Sequence, residues 1–139
     1  MNWIYWALLS AFFAGITAVL AKVGVAGIDS NLATAIRTTV VLVFCWAIVF
    51  ATLPGFSLGT VSRRAWLFLT LSGLATGLSW LCYFRALQLG PASRVAPVDK
   101  LSVVFAILLA AWLLHEKLGW QHWIGGSLIV LGAVILAWR

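Results

Sequence analysis

Apolar residues run along this chain in long blocks, and the few charged residues sit at or near the ends of those blocks. A helix that crosses about 30 Å of hydrocarbon needs about 20 apolar residues at about 1.5 Å of rise each. The first block, from Trp3 to Ala21, stops at Lys22 and predicts a span over 3–22. A Gly-bearing connector, Gly24 to Ser30, leads to a second span over 31–53, with Arg37 near its start and Pro54-Gly55 breaking it. The stretch up to Arg64 reads as a polar loop. A third span follows over 65–89, carrying Arg85 near its end and closed by Gly90-Pro91. The last span, over 120–138, is capped by Arg139.

The fourth span resists this pattern. Its uninterrupted apolar stretch, Leu101 to Leu114, is too short to cross the hydrocarbon core. A span over 93–114 must draw Asp99 and Lys100 into or just under the membrane. Pro97 then lies in its early turns, where a formed helix would leave a backbone carbonyl without its donor.

Composition agrees with the pattern and removes the soluble alternatives. Of 139 residues 64% are hydrophobic and 9% charged, with a mean hydropathy of +1.10; a soluble domain carries about 25% charged residues. The fold expected is all-α, a polytopic membrane protein of five transmembrane helices forming one compact unit. The net charge of +6 comes from residues scattered at span ends, without the basic stripe and interleaved aromatics of a nucleic-acid surface. It suits membrane orientation and contact with lipid head groups. The first span lacks a basic flank and is expected to be retained rather than cleaved.

Tryptophans support the span ends. Trp3, Trp6, Trp66, Trp112, Trp120, Trp123 and Trp138 fall near them, while Trp46 and Trp80 lie deeper and read as packing or cavity residues, packing being the favoured reading. Gly73 and Gly77, with Gly125, Gly126 and Gly132, mark faces where helices of one chain are expected to approach closely. Cys45 and Cys82 read as buried packing residues, with neither disulfide nor metal implied. No cofactor is expected. The chain shows no HExxH, no GxSxG and no phosphate-binding loop, so catalysis is not expected.

Five spans place the termini on opposite sides. Counting Lys and Arg gives three on the side of the N-terminus (Arg63, Arg64, Lys117) and six on the other (Lys22, Arg37, Arg85, Arg94, Lys100, Arg139). Setting aside Lys22, Arg37, Arg85 and Lys100, which lie within or at the edge of spans, leaves three against two. So weak a bias is what a chain inserting in both orientations shows. The full tally favours the N-terminus outside and the C-terminus inside, whereas the reduced one allows an antiparallel homodimer of oppositely inserted copies as a hypothesis.

Ionisable groups inside spans are costly and point to a transport pathway. Arg37, Arg85, Asp99 and Lys100 are the candidates, all toward one face of the membrane. For Arg85 snorkelling to the interface is the competing reading. Asp99 and Lys100 are about 100° apart on a helix, so they do not both face one partner, and Arg37 or Arg85 from another span is an alternative partner for Asp99. Among the three acids, Asp29, Asp99 and Glu116, only Asp99 lies within a span, which excludes proton coupling through a first-helix carboxylate.

Three segments in the second half carry a family resemblance. Tyr83-Phe84-Arg85-Ala86-Leu87 resembles the YxxAL segment, Leu113 to Leu118 the LLxExL ending, and Trp123 to Gly132 the WxGxxLIxxG pattern, of EamA-type members of the drug/metabolite transporter superfamily. The resemblance implies a single five-helix repeat over the whole chain, no enzyme activity, and a small-molecule substrate carried between inverted copies in the inner membrane. Larger members hold two such repeats around a central cavity. The family often carries a Pro early in its fourth helix, after a Leu-Glu or similar pair. Here Ser102 follows Leu101 and Pro97 lies upstream, so a different local geometry is expected. Substrates in the family include amino acids, other metabolites, nucleotide sugars and drugs. The positive groups lean toward a small polar or anionic, amino-acid-like substrate. Two other readings stand beside it: an exporter of cationic hydrophobic compounds, and a non-transporting assembly or flippase subunit.

Overall fold

The computed structural model describes residues 2–138. Arg139, expected to cap the last span, lies outside the described residues. Six α-helices follow in order: α1 (Trp3–Gly24), α2 (Ser30–Thr52), α3 (Arg63–Leu89), α4 (Ala92–Asp99), α5 (Ser102–Leu113) and α6 (Trp120–Ala137), with a 3-10 turn at Leu58–Thr60. Taking α4 and α5 together as Ala92–Leu113, five segments are long and apolar enough to cross a membrane.

Local chemistry explains the boundaries. Asp29 caps α2, its carboxylate accepting from the N–H groups of Asn31 (2.8 Å) and Leu32 (3.2 Å), a cap worth about 1 kcal/mol. At the far end Leu53-Pro54-Gly55-Phe56 forms a tight turn. Phe56 N–H donates to the Leu53 carbonyl (3.3 Å) and Gly55 takes a φ of 81° that a side chain resists. The turn folds Phe56 back onto α2, where its ring meets Trp46 (5.9 Å) and Phe50 (5.6 Å). Trp46 is thus a packing residue. Helix α3 starts earlier than the loop reading allows and takes in Arg63 and Arg64. Ser62 is the reason: its hydroxyl accepts from Ala65 N–H (3.2 Å) and its carbonyl from Trp66 N–H (3.0 Å).

The fourth span is a broken helix. Pro97 sits inside α4 and has no N–H for the Ser93 carbonyl one turn back. Beyond it the ladder tightens to i→i−3 bonds, Lys100 to Pro97 (3.1 Å), Leu101 to Val98 (3.0 Å), Val103 to Lys100 (3.0 Å) and Val104 to Leu101 (2.9 Å). Lys100 and Leu101 are thus turn residues inside the span, between α4 and α5. Helix α5 ends at a left-handed His115 (φ 55°), across which Glu116 N–H reaches the Ala110 carbonyl (3.3 Å). His115, Glu116 and Lys117 are exposed. At the start of α6 Gly119 N–H donates to Nδ1 of His122 (3.1 Å).

Contacts divide the chain into two units, one of residues up to Val23 with Leu89 onward, the other Gly24–Gln88. In the first, α4 and α5 both pack on α6, small residues (Ala18, Ala21, Gly126, Ala133) are the buried ones, and Lys22 Nζ donates to the Gly90 carbonyl (2.9 Å). The core of the second is Val25, Ala33, Phe84 and Leu87, with buried Ser30 and Thr34.

Most apolar side chains face outward, and no more than 11% of any span is buried within the chain. In water this would be untenable; in lipid it is the expected arrangement. Cys45 and Cys82 are unpaired and exposed, not buried; a thiol in lipid needs no packing shell. The glycine positions divide. Gly126 is buried, as the close-approach reading expects, whereas a methyl group added at Gly73, Gly77, Gly125 or Gly132 meets no atom within 4 Å, so those positions leave room.

Candidate functional site

Arg37 stands seven residues into α2, about 10 Å along the helix from Ser30 at about 1.5 Å per residue. Its guanidinium lies over the Trp80 ring, 4.2 Å from the centroid, with Phe84 at 5.8 Å. Trp80 is nine residues from the end of α3, about 13 Å down that helix. Both rings hold the guanidinium of α2 against α3. Among the described residues no ion pair or hydrogen bond engages this guanidinium. The ring supplies part of the lost solvation, about 1–2 kcal/mol for a cation–π contact away from water. Stacking uses the face of the guanidinium and leaves its N–H edge unspent.

A groove of about 400 Å³ lies between α2 and α3, lined by Asn31, Thr34, Ala35, Thr38, Thr39, Leu42, Gly77 and Leu81. Arg37 and Trp80 belong to the same two helices but are not among the residues that line the groove. The threonine hydroxyls bond back to their own helix: Thr34 to the Ser30 carbonyl (2.8 Å), Thr38 to Thr34 (2.8 Å) and Thr39 to Ala35 (3.0 Å).

Arg85 behaves differently. Four residues from the end of α3, it is exposed, and its Nη1 donates to Gln88 Oε1 (2.9 Å) while Gln88 Nε2 donates to the Ile28 carbonyl (2.6 Å). The relay ties the α1–α2 connector to the end of α3. Arg37 and Arg85 share neither a bond nor a counter-ion.

Asp99 and Lys100 stand at the break between α4 and α5. Asp99, for which Arg37 or Arg85 is an alternative partner from another span, pairs with its chain neighbour, Lys100 Nζ lying 3.5 Å from Oδ2. Both side chains are well exposed, 56% for Lys100 and 36% for Asp99, so the pair itself adds little stability.

A second groove, about 460 Å³, runs between α5 and α6 and is apolar except for His122 and Ser127. No group of His, Cys, Asp and Glu among the described residues is arranged to hold a metal. Phe84 and Gln88 contact the candidate arginines although the sequence pattern alone does not single them out, and Trp80 stands out there only as a deep tryptophan. The one available signal for Gln88 is its spacing, three residues after Arg85 on a helix.

The EamA-like transporter family matches residues 1–138. The chain is 55% identical over 136 residues to a Sinorhizobium sp. protein titled "Uncharacterized transporter in cobO 3'region", covering 98% of this chain and 96% of that one. It is 37% identical over 107 residues to an Erwinia tasmaniensis protein titled "Probable 4-amino-4-deoxy-L-arabinose-phosphoundecaprenol flippase subunit ArnF", covering 70% and 82%. To the corresponding subunit ArnE of Klebsiella pneumoniae it is 37% identical over 79 residues, 56% of this chain and 70% of that one. No solved structure matches the chain.

Proposed function

Because the chain belongs to the EamA-like transporter family, we propose that it carries a small polar or anionic, amino-acid-like metabolite across the bacterial inner membrane as an antiparallel homodimer. Membership makes it a multi-pass membrane transporter; the proposal concerns cargo and assembly. The observation that carries it is Arg37, a cation held in the span by Trp80 without a counter-ion. A charge at a helix centre costs about 2.5–3.5 kcal/mol on insertion scales. A cargo carboxylate or phosphate would relieve that cost, whereas a hydrophobic cation would add to it.

In this reading Arg37 receives the anion, Arg85 attracts it at the interfacial end of α3, and the Asp99–Lys100 pair at the broken span serves the conformational step. Discontinuous helices recur where transporters bind and release solutes. The open glycine faces and largely lipid-facing spans support a second copy, as does the weak charge bias. A second reading, subunit of a lipid-carrier flippase, is favoured by the ArnE and ArnF relatives, since a lipid-linked phosphate also suits Arg37.

The test is counterflow with the purified protein alone in liposomes, using amino acids, small carboxylates, sugar phosphates and cationic dyes. Saturable exchange of a carboxylate or amino acid is expected. Exchange of dyes alone rejects the cargo assignment, and inertness toward every solute favours the accessory-subunit reading. For the assembly, tags at both termini should be reachable from both sides of the membrane; one uniform orientation in every molecule rejects the antiparallel dimer.

A further inference from the structure

The α5/α6 groove is polar at one end only. His122, Trp123 and Ser127 line it near the start of α6, and Val130, Leu131 and Val134 carry it onward against α5. His122 lies two residues from the start of α6 and Val134 fourteen. The lining therefore runs about 18 Å along the helix, from the interface to just past the middle of a core about 30 Å thick. That is about the depth of one leaflet. Trp120 and Trp123, both exposed, mark the interfacial end.

Width narrows the choice of occupant. About 460 Å³ over about 18 Å is a cross-section of about 25 Å², whereas a helix about 10 Å across needs about 80 Å². A helix from a second copy would ride over the groove and leave it unfilled. A single file of methylenes fits inside it.

The mouth supplies donors. His122 Nδ1 accepts from Gly119 N–H (3.1 Å), so the ring carries its proton on Nε2, and that N–H is unspent. Among the described residues the Ser127 hydroxyl has no partner either; it lies five residues beyond His122, about 7.5 Å deeper. Leu118 lines the same end and follows Glu116 and Lys117, exposed residues of opposite charge. A glycerophospholipid has its parts in this order: a charged phosphodiester outermost, ester carbonyls below it, then hydrocarbon.

We infer that the α5/α6 groove holds one acyl chain of a zwitterionic glycerophospholipid. Its phosphodiester accepts from His122 Nε2–H, an ester carbonyl accepts from the Ser127 hydroxyl, and the chain lies along Val130, Leu131 and Val134. A headgroup bearing both charges answers Glu116 and Lys117. The site shares no residue with the α2/α3 groove, so this lipid is a retained part of the protein and not its cargo.

The test titrates the purified full-length protein in detergent with phosphatidylethanolamine, or with diacylglycerol of the same chains, and counts bound lipid by native mass spectrometry. One phosphatidylethanolamine per chain is expected, held about tenfold or more tighter than diacylglycerol, the usual worth of one charge-assisted hydrogen bond. His122→Phe should weaken phosphatidylethanolamine several-fold and leave diacylglycerol unchanged, with His122→Gln restoring part of the loss. Val130→Trp fills the apolar half and should abolish the retained lipid; Val134→Phe does the same should Val130→Trp fail to insert. Equal binding of the two lipids, or a lipid count that neither filling variant lowers, overturns the inference and leaves only general contact with the bilayer. A filling variant that lowers the fraction of dimer and spares the lipid overturns it too, and gives the groove to a second copy.

Discussion

Replacing Arg37 with Ala separates a cargo-binding arginine from a structural one, because the two roles give opposite signs in stability. In the structure the guanidinium makes two ring contacts, to Trp80 and Phe84, and no ion pair. Loss of the Trp80 contact costs about 1–2 kcal/mol. Against this, removing a charge from the span returns up to about 2.5–3.5 kcal/mol at full depth, somewhat less at the depth of Arg37. The variant should therefore insert and withstand heat at least as well as the wild type. Cargo binding should move the other way. A charge-assisted hydrogen bond is worth about 1.5–3 kcal/mol, which at about 1.4 kcal/mol per tenfold is a loss of roughly 10- to 150-fold in affinity. Arg37→Lys keeps the charge but loses the planar fork and stacking, and should fall between. The assay is a counterflow titration in liposomes beside a thermal melt in detergent. Unchanged affinity with lowered Tm would refute the reasoning and make Arg37 a structural clasp between α2 and α3.

Other consequences follow from the same geometry. Pro97→Ala restores an N–H for the Ser93 carbonyl and should stabilise the fourth span by up to about 3 kcal/mol; slower transport with a higher Tm is expected, and a Tm below wild type counts against the broken-helix account. Gln88→Leu removes both the 2.9 Å and 2.6 Å bonds of the relay at about 1 kcal/mol each. Faster amide exchange in residues 25–29 should report it, and unchanged exchange rejects the relay. Asp29→Ala removes the α2 cap and should cost about 1 kcal/mol, read as a lower Tm that Asp29→Asn or Asp29→Ser largely restores.

Hydropathy made most of the fold legible. Trp3–Gly24, Ser30–Thr52 and Trp120–Ala137 come within two residues of the blocks read from the chain, because a lipid-facing helix announces itself by composition alone. What it missed lies where composition is silent. Arg63 and Arg64 look like loop residues until the Ser62 cap is seen to start α3 ahead of them. Pro97 marks the weak point of the fourth span, but the four i→i−3 bonds that tighten the following turn depend on backbone geometry. The site shows the same limit more sharply. Arg37 and Asp99 stand out by their charge. That Arg37 sits on Trp80, 43 positions along the chain, is a matter of how two helices register, and Trp80 alone reads as one more packing aromatic. The glycine positions misled in part for a related reason: small residues show where something can approach, not whether that something belongs to the same chain.

The most direct test is to ask where the cargo lies. A small carboxylate bearing a diazirine, irradiated with the purified protein in liposomes and mapped by mass spectrometry, reports contact residue by residue. Adducts on α2 and α3 near Thr34, Thr38, Trp80 and Leu81, competed by unlabelled carboxylate and lost in Arg37→Ala, are the expected result. Competed adducts confined to the apolar α5/α6 groove, from Val104 to Val134, would contradict it.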